Sequence, residues 1–339
     1  MPLFSRKTLK RQARSAAQGG LAKLAPAVWR HAGERLLILA YHRVLPNGDP
    51  ETQTEQAGMW VTPDTLRAHI QVLREHFEIV DLARWLSGEV RHDAPCCALT
   101  FDDGWADNYH HGFPVLKEEE APATVFLVSD YVASGRDFWP GRLTRLVLEA
   151  DRAGAALAQE PALAFLHRVA TGTLGTSQPE LDRLVMDAKA LGDVELHEEV
   201  SHAAEVLGVE VEPRSPVILD WEQVEEMGAS GWIRFGSHGR SHQRLCSPLD
   251  HDTQRLEVES SRAALREKVT AYSDVFCYPN GDSSPEAEEE VRRSYVGACV
   301  GAKGWNQRGD DPFRLRRILI HQDVTSNEDA FLARLSGVL

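Results

Sequence analysis

No run of about 18 apolar residues occurs in the 339-residue chain, so the sequence offers no membrane-spanning helix. It also lacks a basic stretch leading into an apolar stretch and a small-residue cleavage site, the pattern of a secretory signal. Cysteine is sparse: Cys96, Cys97, Cys246, Cys277 and Cys299. An odd number, with two adjacent in an apolar run, does not make a disulfide framework, and reduced, buried thiols are expected. Positive charge is also short. A net charge of −14 argues against nucleic acid as the main partner. No internal repeat or low-complexity tract breaks the chain. These absences together predict a cytoplasmic globular protein, and 42% hydrophobic residues supply ample material for a large core.

One region reverses the charge balance. Residues 1–33 hold Arg6, Lys7, Lys10, Arg11, Arg14, Lys23 and Arg30 and no acid, so the remainder of the chain carries a net −21. Leu3, Phe4, Leu9, Leu21, Leu24, Val28 and Trp29 lie among these basic residues. Three readings fit: a solvated terminus, a targeting presequence, or an amphipathic arm making peripheral contact with the inner face of an anionic membrane.

From residue 34 onward, short apolar runs alternate with helical patterns. The runs are Leu36 to Val44, Cys96 to Phe101, Ala123 to Ser129, Trp232 to Gly236, Val275 to Tyr278, Tyr295 to Gly301 and Leu315 to His321. They are nearly continuous rather than alternating, as strands covered on both faces must be. Helices are predicted over Thr62 to Phe77, Leu249 to Val269 and Ser284 to Arg293. Such alternation predicts an α/β fold, a barrel or a doubly wound sheet. Between Ser129 and Trp232 no convincing strand occurs, and the composition predicts a helical insertion at about 137–215.

The residues that could carry chemistry follow apolar runs, where a barrel would place its active site. Thr100-Phe101-Asp102-Asp103-Gly104 puts two carboxylates at a strand end. Neighbouring residues point in different directions, so one acid could ligate a metal while the other takes a proton. A plain Asp-Asp-Gly turn is the alternative. Gly236-Ser237-His238-Gly239-Arg240-Ser241-His242 sets two histidines at i and i+4, a spacing that would place both on one face of a helical turn. One Asp and two His make a three-ligand set with an open position, as catalytic zinc requires, and leave the second Asp as general base. Phe276-Cys277-Tyr278-Pro279-Asn280-Gly281 ends in a turn whose backbone N–H could serve an oxyanion, or be only a turn. His321, after the last run, is a candidate general acid. His42 follows the first run and would face the same site.

In this order the TFDDG, SHGRSH and FCYPNG segments resemble the polysaccharide deacetylases, the NodB-homology family also called carbohydrate esterase family four. The opening Tyr41-His42-Arg43-Val44 and the run APATVFLV are similar to that family as well. The resemblance covers about residues 36–130 and 215–322. It implies a deformed (β/α) barrel of about seven parallel strands and a metal-dependent amidase that strips N-acetyl groups from an amino-sugar glycan or a lipid-linked sugar precursor, in cell-envelope or exopolysaccharide biosynthesis. Carried over by position, Asp102 is the base, Asp103, His238 and His242 bind a divalent metal, expected to be zinc, the Asn280 N–H serves the oxyanion and His321 is the acid. His42, Tyr278 and Trp305 complete the expected site as substrate contacts. An O-acetyl esterase, a deformylase and an inactive glycan-binding module are the competing readings.

Two departures matter. Many members carry an arginine, which orients the base, where Cys277 stands, and a tyrosine where Asn280 stands. A thiol cannot give a charged two-pronged contact, so another group must hold Asp102, with Arg43 and Arg317 as the candidates. The family's acidic partner near the general acid is not plain either, with Trp305, Asp311 and Asp323 in the right region.

Overall fold

A computed structural model describes residues 34–53, 55–90, 94–246 and 249–336, together with residues 20 and 29. The runs read as strands fall into one mostly parallel sheet. In chain order these are β1 (Arg35–Tyr41), β2 (Cys96–Phe101), β3 (Ala123–Leu127), β4 (Ile233–Ser237), β5 (Tyr272–Cys277), β6 (Gly297–Cys299) and β7 (Ile318–Leu319). β1 to β6 lie side by side in sequence order, and β7 returns to pair parallel with β1 through Leu39↔Ile318 and Ala40↔Leu319. A bridge between Cys299 and Leu315 ties β6 to the segment leading into β7. The sheet thus curls round on itself as a deformed (β/α) barrel. Antiparallel Asn306–Gln307 and short Glu78–Ile79 pair at its margins.

Burial explains the composition of these strands. Every residue of β2 and β3 is buried, and β1 is buried except for Arg35. Strands covered on both faces need apolar residues at every position, not every second one. The helices begin where the capping residues stand. Thr62 caps α1 (Pro63–His76), Asp250 caps α5 (His251–Lys268) and Ser284 caps α6 (Pro285–Ser294), each accepting the N–H of a first-turn residue.

Residues between β3 and β4 form α2 (Trp139–Arg152), α3 (Gln178–Ala188) and α4 (Asp193–Leu207), which bury an apolar core of their own around Leu143, Leu146, Leu163, Leu184, Leu196 and Val200. Of the basic segment at residues 1–33, only Gly20 and Trp29 are among the described residues, so the amphipathic arm lies outside them. Trp29 is buried in the barrel's main core against Phe77, with ring centroids 5.1 Å apart, and beside Trp305 at 6.0 Å. Among the described residues no helix is long and apolar enough to cross a membrane, and Cys96, Cys97, Cys277 and Cys299 are buried free thiols.

Candidate active site

The strand ends converge on a cavity of about 360 Å³ lined by Asp102, Asp103, His238, His242, Asn280 and Arg317, among others. The two adjacent acids part company at the end of β2. Asp102 continues the strand direction, its N–H donating to the Tyr41 carbonyl at 2.9 Å. Asp103 turns into the left-handed region at φ 75°. His242 (φ 65°) and Asn280 (φ 55°) do the same, so three of the five non-glycine residues with positive φ among the described residues line this one cavity. Backbone strain of this kind, costing about 1–3 kcal/mol per residue, gathers where geometry serves function. Gly281 follows Asn280 at φ 77°, and a Cβ there would stand 2.3 Å from the Gly301 Cα, so no other residue fits.

Asp103 and the two histidines form one donor set. Asp103 Oδ1 lies 3.3 Å from His238 Nε2 and 3.3 Å from His242 Nε2. The helical face expected from the i, i+4 spacing is not what joins the rings. Residues 238–242 are a loop, and the left-handed turn at His242 folds its ring back to 5.1 Å from that of His238. Two members of the set are held from behind. His238 Nδ1 lies 2.7 Å from the Cys277 carbonyl, which can only accept, so Nδ1 carries the proton and Nε2 presents its lone pair. Trp105 Nε1 donates to Asp103 Oδ2 at 2.9 Å and leaves Oδ1 to the histidines. Two imidazole nitrogens and a carboxylate oxygen, oriented from behind and open to a cavity, fit a divalent metal with a free coordination position. Asp102, His238 and Cys277 also lie close together. That set fits poorly, because burial pushes the Cys277 thiol well up and keeps it protonated, and both Asp102 oxygens are occupied.

Arg317 occupies them. Its guanidinium donates to Asp102 Oδ1 at 2.7 Å and to Oδ2 at 2.8 Å, both residues being buried. Burial, the largest influence, would raise the Asp102 carboxyl, but Arg317, with smaller help from His238 and His42, brings the acid below its usual value. Of the two arginines the sequence left open, Arg317 therefore holds Asp102, the expected base. Cys277 contributes only a long thiol contact to Oδ1 at 3.7 Å. Arg43 points elsewhere. It donates to Asp107 at 2.8 Å and pairs with Glu55 at 2.8 Å, and it stacks 4.4 Å over the Trp105 ring that steadies Asp103.

The other expected site residues divide. His42 lines the cavity, its Nε2 3.8 Å from Asp102 Oδ2. His321 stands at the end of β7, outside the cavity lining, hydrogen-bonded through Nδ1 to Asp323. Burial lowers its pKa, and Asp323 partly restores it. Asp323 is thus the acidic partner that the sequence left unassigned, whereas Asp311 is bound to Arg292 at 3.0 Å. Two expected substrate contacts are corrected. Tyr278 is fully buried behind the Asn280 turn, against Phe276 and Tyr295, and Trp305 packs on Trp29 and Phe77 with its Nε1 donating to the Leu335 carbonyl. Neither lines the cavity. Apolar residues at strand ends point to both sides, and these two face the core. Trp105 was missed, although an indole two residues after a metal-binding Asp is a signal that could have found it.

Comparison with known proteins now settles the family. A family model of polysaccharide deacetylases matches residues 89–160 and 190–296, just over half the chain. The chain belongs to the polysaccharide deacetylase family. A Bacillus subtilis (strain 168) protein of that name, YxkH, is 40% identical over 43 residues, a stretch covering 15% of its length and 13% of this chain. Two solved structures share the fold: a Streptococcus pyogenes deacetylase, PplD, in complex with acetate (TM-score 0.58, 17% identity, 89% of this chain and 99% of that one), and IcaB from Ammonifex degensii (TM-score 0.55, 20% identity, 89% and 98%). Arg317, His321 and Asp323 all lie beyond the residues that the family model matches.

Proposed function

We propose that the protein is a metal-dependent hydrolase that removes N-acetyl groups from an amino-sugar glycan or lipid-linked sugar precursor in cell-envelope or exopolysaccharide biosynthesis, acting in the cytoplasm at the inner face of the membrane. One observation carries this reading: an Asp103–His238–His242 donor set lies beside a second carboxylate, Asp102, that a buried arginine keeps ionised. A binding module has no use for a buried base held in that state. The donor set suits zinc. When bound, such an ion would polarise the amide carbonyl and lower the pKa of a water to about 7.

The chain's own groups supply the rest. Asp102 takes the proton from the attacking water, whose oxygen bonds to the acetyl carbon. The carbonyl oxygen gains negative charge, and we assign the backbone N–H of Asn280, a residue that lines the cavity, as the donor that meets it. The carbon–nitrogen bond then breaks as a proton reaches the amine, a role we give to His321, two residues beyond the cavity-lining Leu319, releasing acetate and the free amino sugar. Arg317 keeps Asp102 aimed throughout. Membrane association would rest on the basic segment at residues 1–33.

The test is metal analysis of the purified protein together with acetate release from free, polymeric and lipid-linked N-acetylated sugars. Asp102→Asn should bind metal as the wild type does and lose about 10²–10⁴-fold in turnover. Full activity in that variant would remove Asp102 as the base. An O-acetylated and an N-formylated sugar in the same panel separate the esterase and deformylase alternatives.

A further inference from the structure

The charges lining the cavity do not balance. Each of its carboxylates has a cation: Asp102 has Arg317, Glu55 has Arg43, and Asp103 has the two histidines where a metal would sit. Two lysines on its wall have no such partner. Among the described residues no carboxylate oxygen lies within 4.0 Å of either the Lys189 or the Lys303 ammonium, and neither ammonium makes a side-chain hydrogen bond.

Lys189 is held there deliberately. It follows the last residue of α3, and Arg244, two residues beyond His242, donates to its carbonyl at 3.0 Å and to the Leu191 carbonyl at 2.9 Å. The same guanidinium reaches Asp193 at 3.4 Å and so engages one of the two carboxylates, Asp193 and Asp282, whose charge is felt at Lys189. The helical insertion is therefore pinned to the metal-binding loop at the residue that presents the lysine. Lys189 is half-buried, and burial with the neighbouring Arg244 lowers its pKa, while Asp282 and Asp193, neither in ion-pair contact with it, draw it only partly back. Lys303 comes from the exposed loop after β6. Both lie outside the residues that the family model matches, 89–160 and 190–296.

We infer that the substrate carries an anionic group, phosphoryl or carboxylate, close to the sugar that bears the acetamide, and that Lys189 and Lys303 bind it. This rests on the deacetylase reading for the amide but not for the charge. A lysine ammonium is a point charge that suits phosphate and carboxylate oxygens alike. A bound metal would make the cavity more positive still. The sugar 1-phosphate of a nucleotide- or lipid-linked precursor and a uronate neighbour in a glycan are the two sources of that charge.

Binding separates this inference from the reaction. Metal-loaded protein is titrated calorimetrically with N-acetylglucosamine 1-phosphate, with a glucuronyl-N-acetylglucosamine disaccharide and with neutral methyl N-acetylglucosaminide. At least one anionic probe should bind about tenfold or more tightly than the neutral one, with an affinity that falls as salt rises. Lys189→Glu and Lys303→Glu should each cost that probe about tenfold to a hundredfold, and the Gln variants less, with unchanged metal content and melting temperature. The anionic probe that depends on the lysines names the source. Equal affinity for charged and neutral probes, or Glu variants that bind the charged probes as the wild type does, would overturn the inference. Lysine-dependent binding with no acetate released from any sugar would sink the deacetylase reading alone.

Discussion

The two halves of the site are built differently. The half proposed to hold a metal, Asp103, His238 and His242 with Trp105 behind it, lies wholly inside the residues that the family model matches. The proton-handling half takes only Asp102 from them and draws Arg317, His321 and Asp323 from the end of the chain. The difference is one of geometric freedom. Three ligands must place single atoms about 2 Å from one ion, and few chain paths achieve that. A base needs only a guanidinium lying against it, and a long side chain can reach it from more than one strand. Asp102 ends β2, whose neighbours include β1. On the far side of β1 runs β7, and Arg317 immediately precedes it. The family position on β5 can therefore hold Cys277 without leaving the base unattended.

Replacing Arg317 tests that difference most severely. Arg317→Leu leaves Asp102 buried without its cation, which should cost about 3–5 kcal/mol of stability, read from denaturant unfolding. In the folded fraction, loss of the aim of Asp102 should lower kcat/KM by about 10²-fold. Because Arg317 is the largest of the influences that lower the Asp102 pKa, its removal lets burial raise it. The acid limb of the pH–rate profile should move to higher pH. Arg317→Leu with Cys277→Arg should recover part of the loss, since it returns the cation to the position used elsewhere in the family. A single Arg317→Leu variant with wild-type stability and an unmoved acid limb would mean that Asp102 is held by something else.

The motif half was readable because its residues stand together in the sequence and because metal chemistry restricts which types can stand there. The strands were readable for a related reason: burial on both faces leaves a run such as Cys96 to Phe101 unbroken, and β2 has those limits. What the sequence hid depends on long-range contact. Arg317 and Asp102 are 215 residues apart, and only the pairing of β7 with β1 makes them neighbours. Trp305 and Tyr278 were misjudged because an aromatic near a strand end can face the cavity or the core with equal local preference, and the choice falls to partners such as Trp29 and Tyr295. The i, i+4 histidines were correctly joined for the wrong local reason, since a left-handed turn brings them together as well as a helix does.

Trp105 sharpens the metal side of the comparison. Trp105→Phe keeps the ring under Arg43 and deletes only the indole donor to Asp103 Oδ2. Metal affinity should fall by about 10- to 100-fold, measured by competition with a chelator, while stability changes little by comparison with Arg317→Leu. Unchanged metal affinity would mean that Asp103 needs no support from behind, and that the metal half is less tightly specified than its sequence suggests.

The smallest effect belongs to the acid and should appear at the opposite end of the pH range. Burial lowers the His321 pKa, and the hydrogen bond and charge of Asp323 raise it again, with the net result below 6.5. Asp323→Asn removes the raising influence, so the imidazole loses its proton at lower pH than before. If His321 must be protonated to release the amine, the basic limb of kcat/KM should shift to lower pH, with the acid limb and metal content unaltered. The variant should then fall progressively further behind the wild type as pH rises, a modest loss near neutrality. Arg317→Leu should narrow the profile from the acid side and Asp323→Asn from the basic side. A basic limb that stays in place in Asp323→Asn would remove His321 as the proton donor and direct attention to His42, the cavity-wall imidazole outside the proposed metal set.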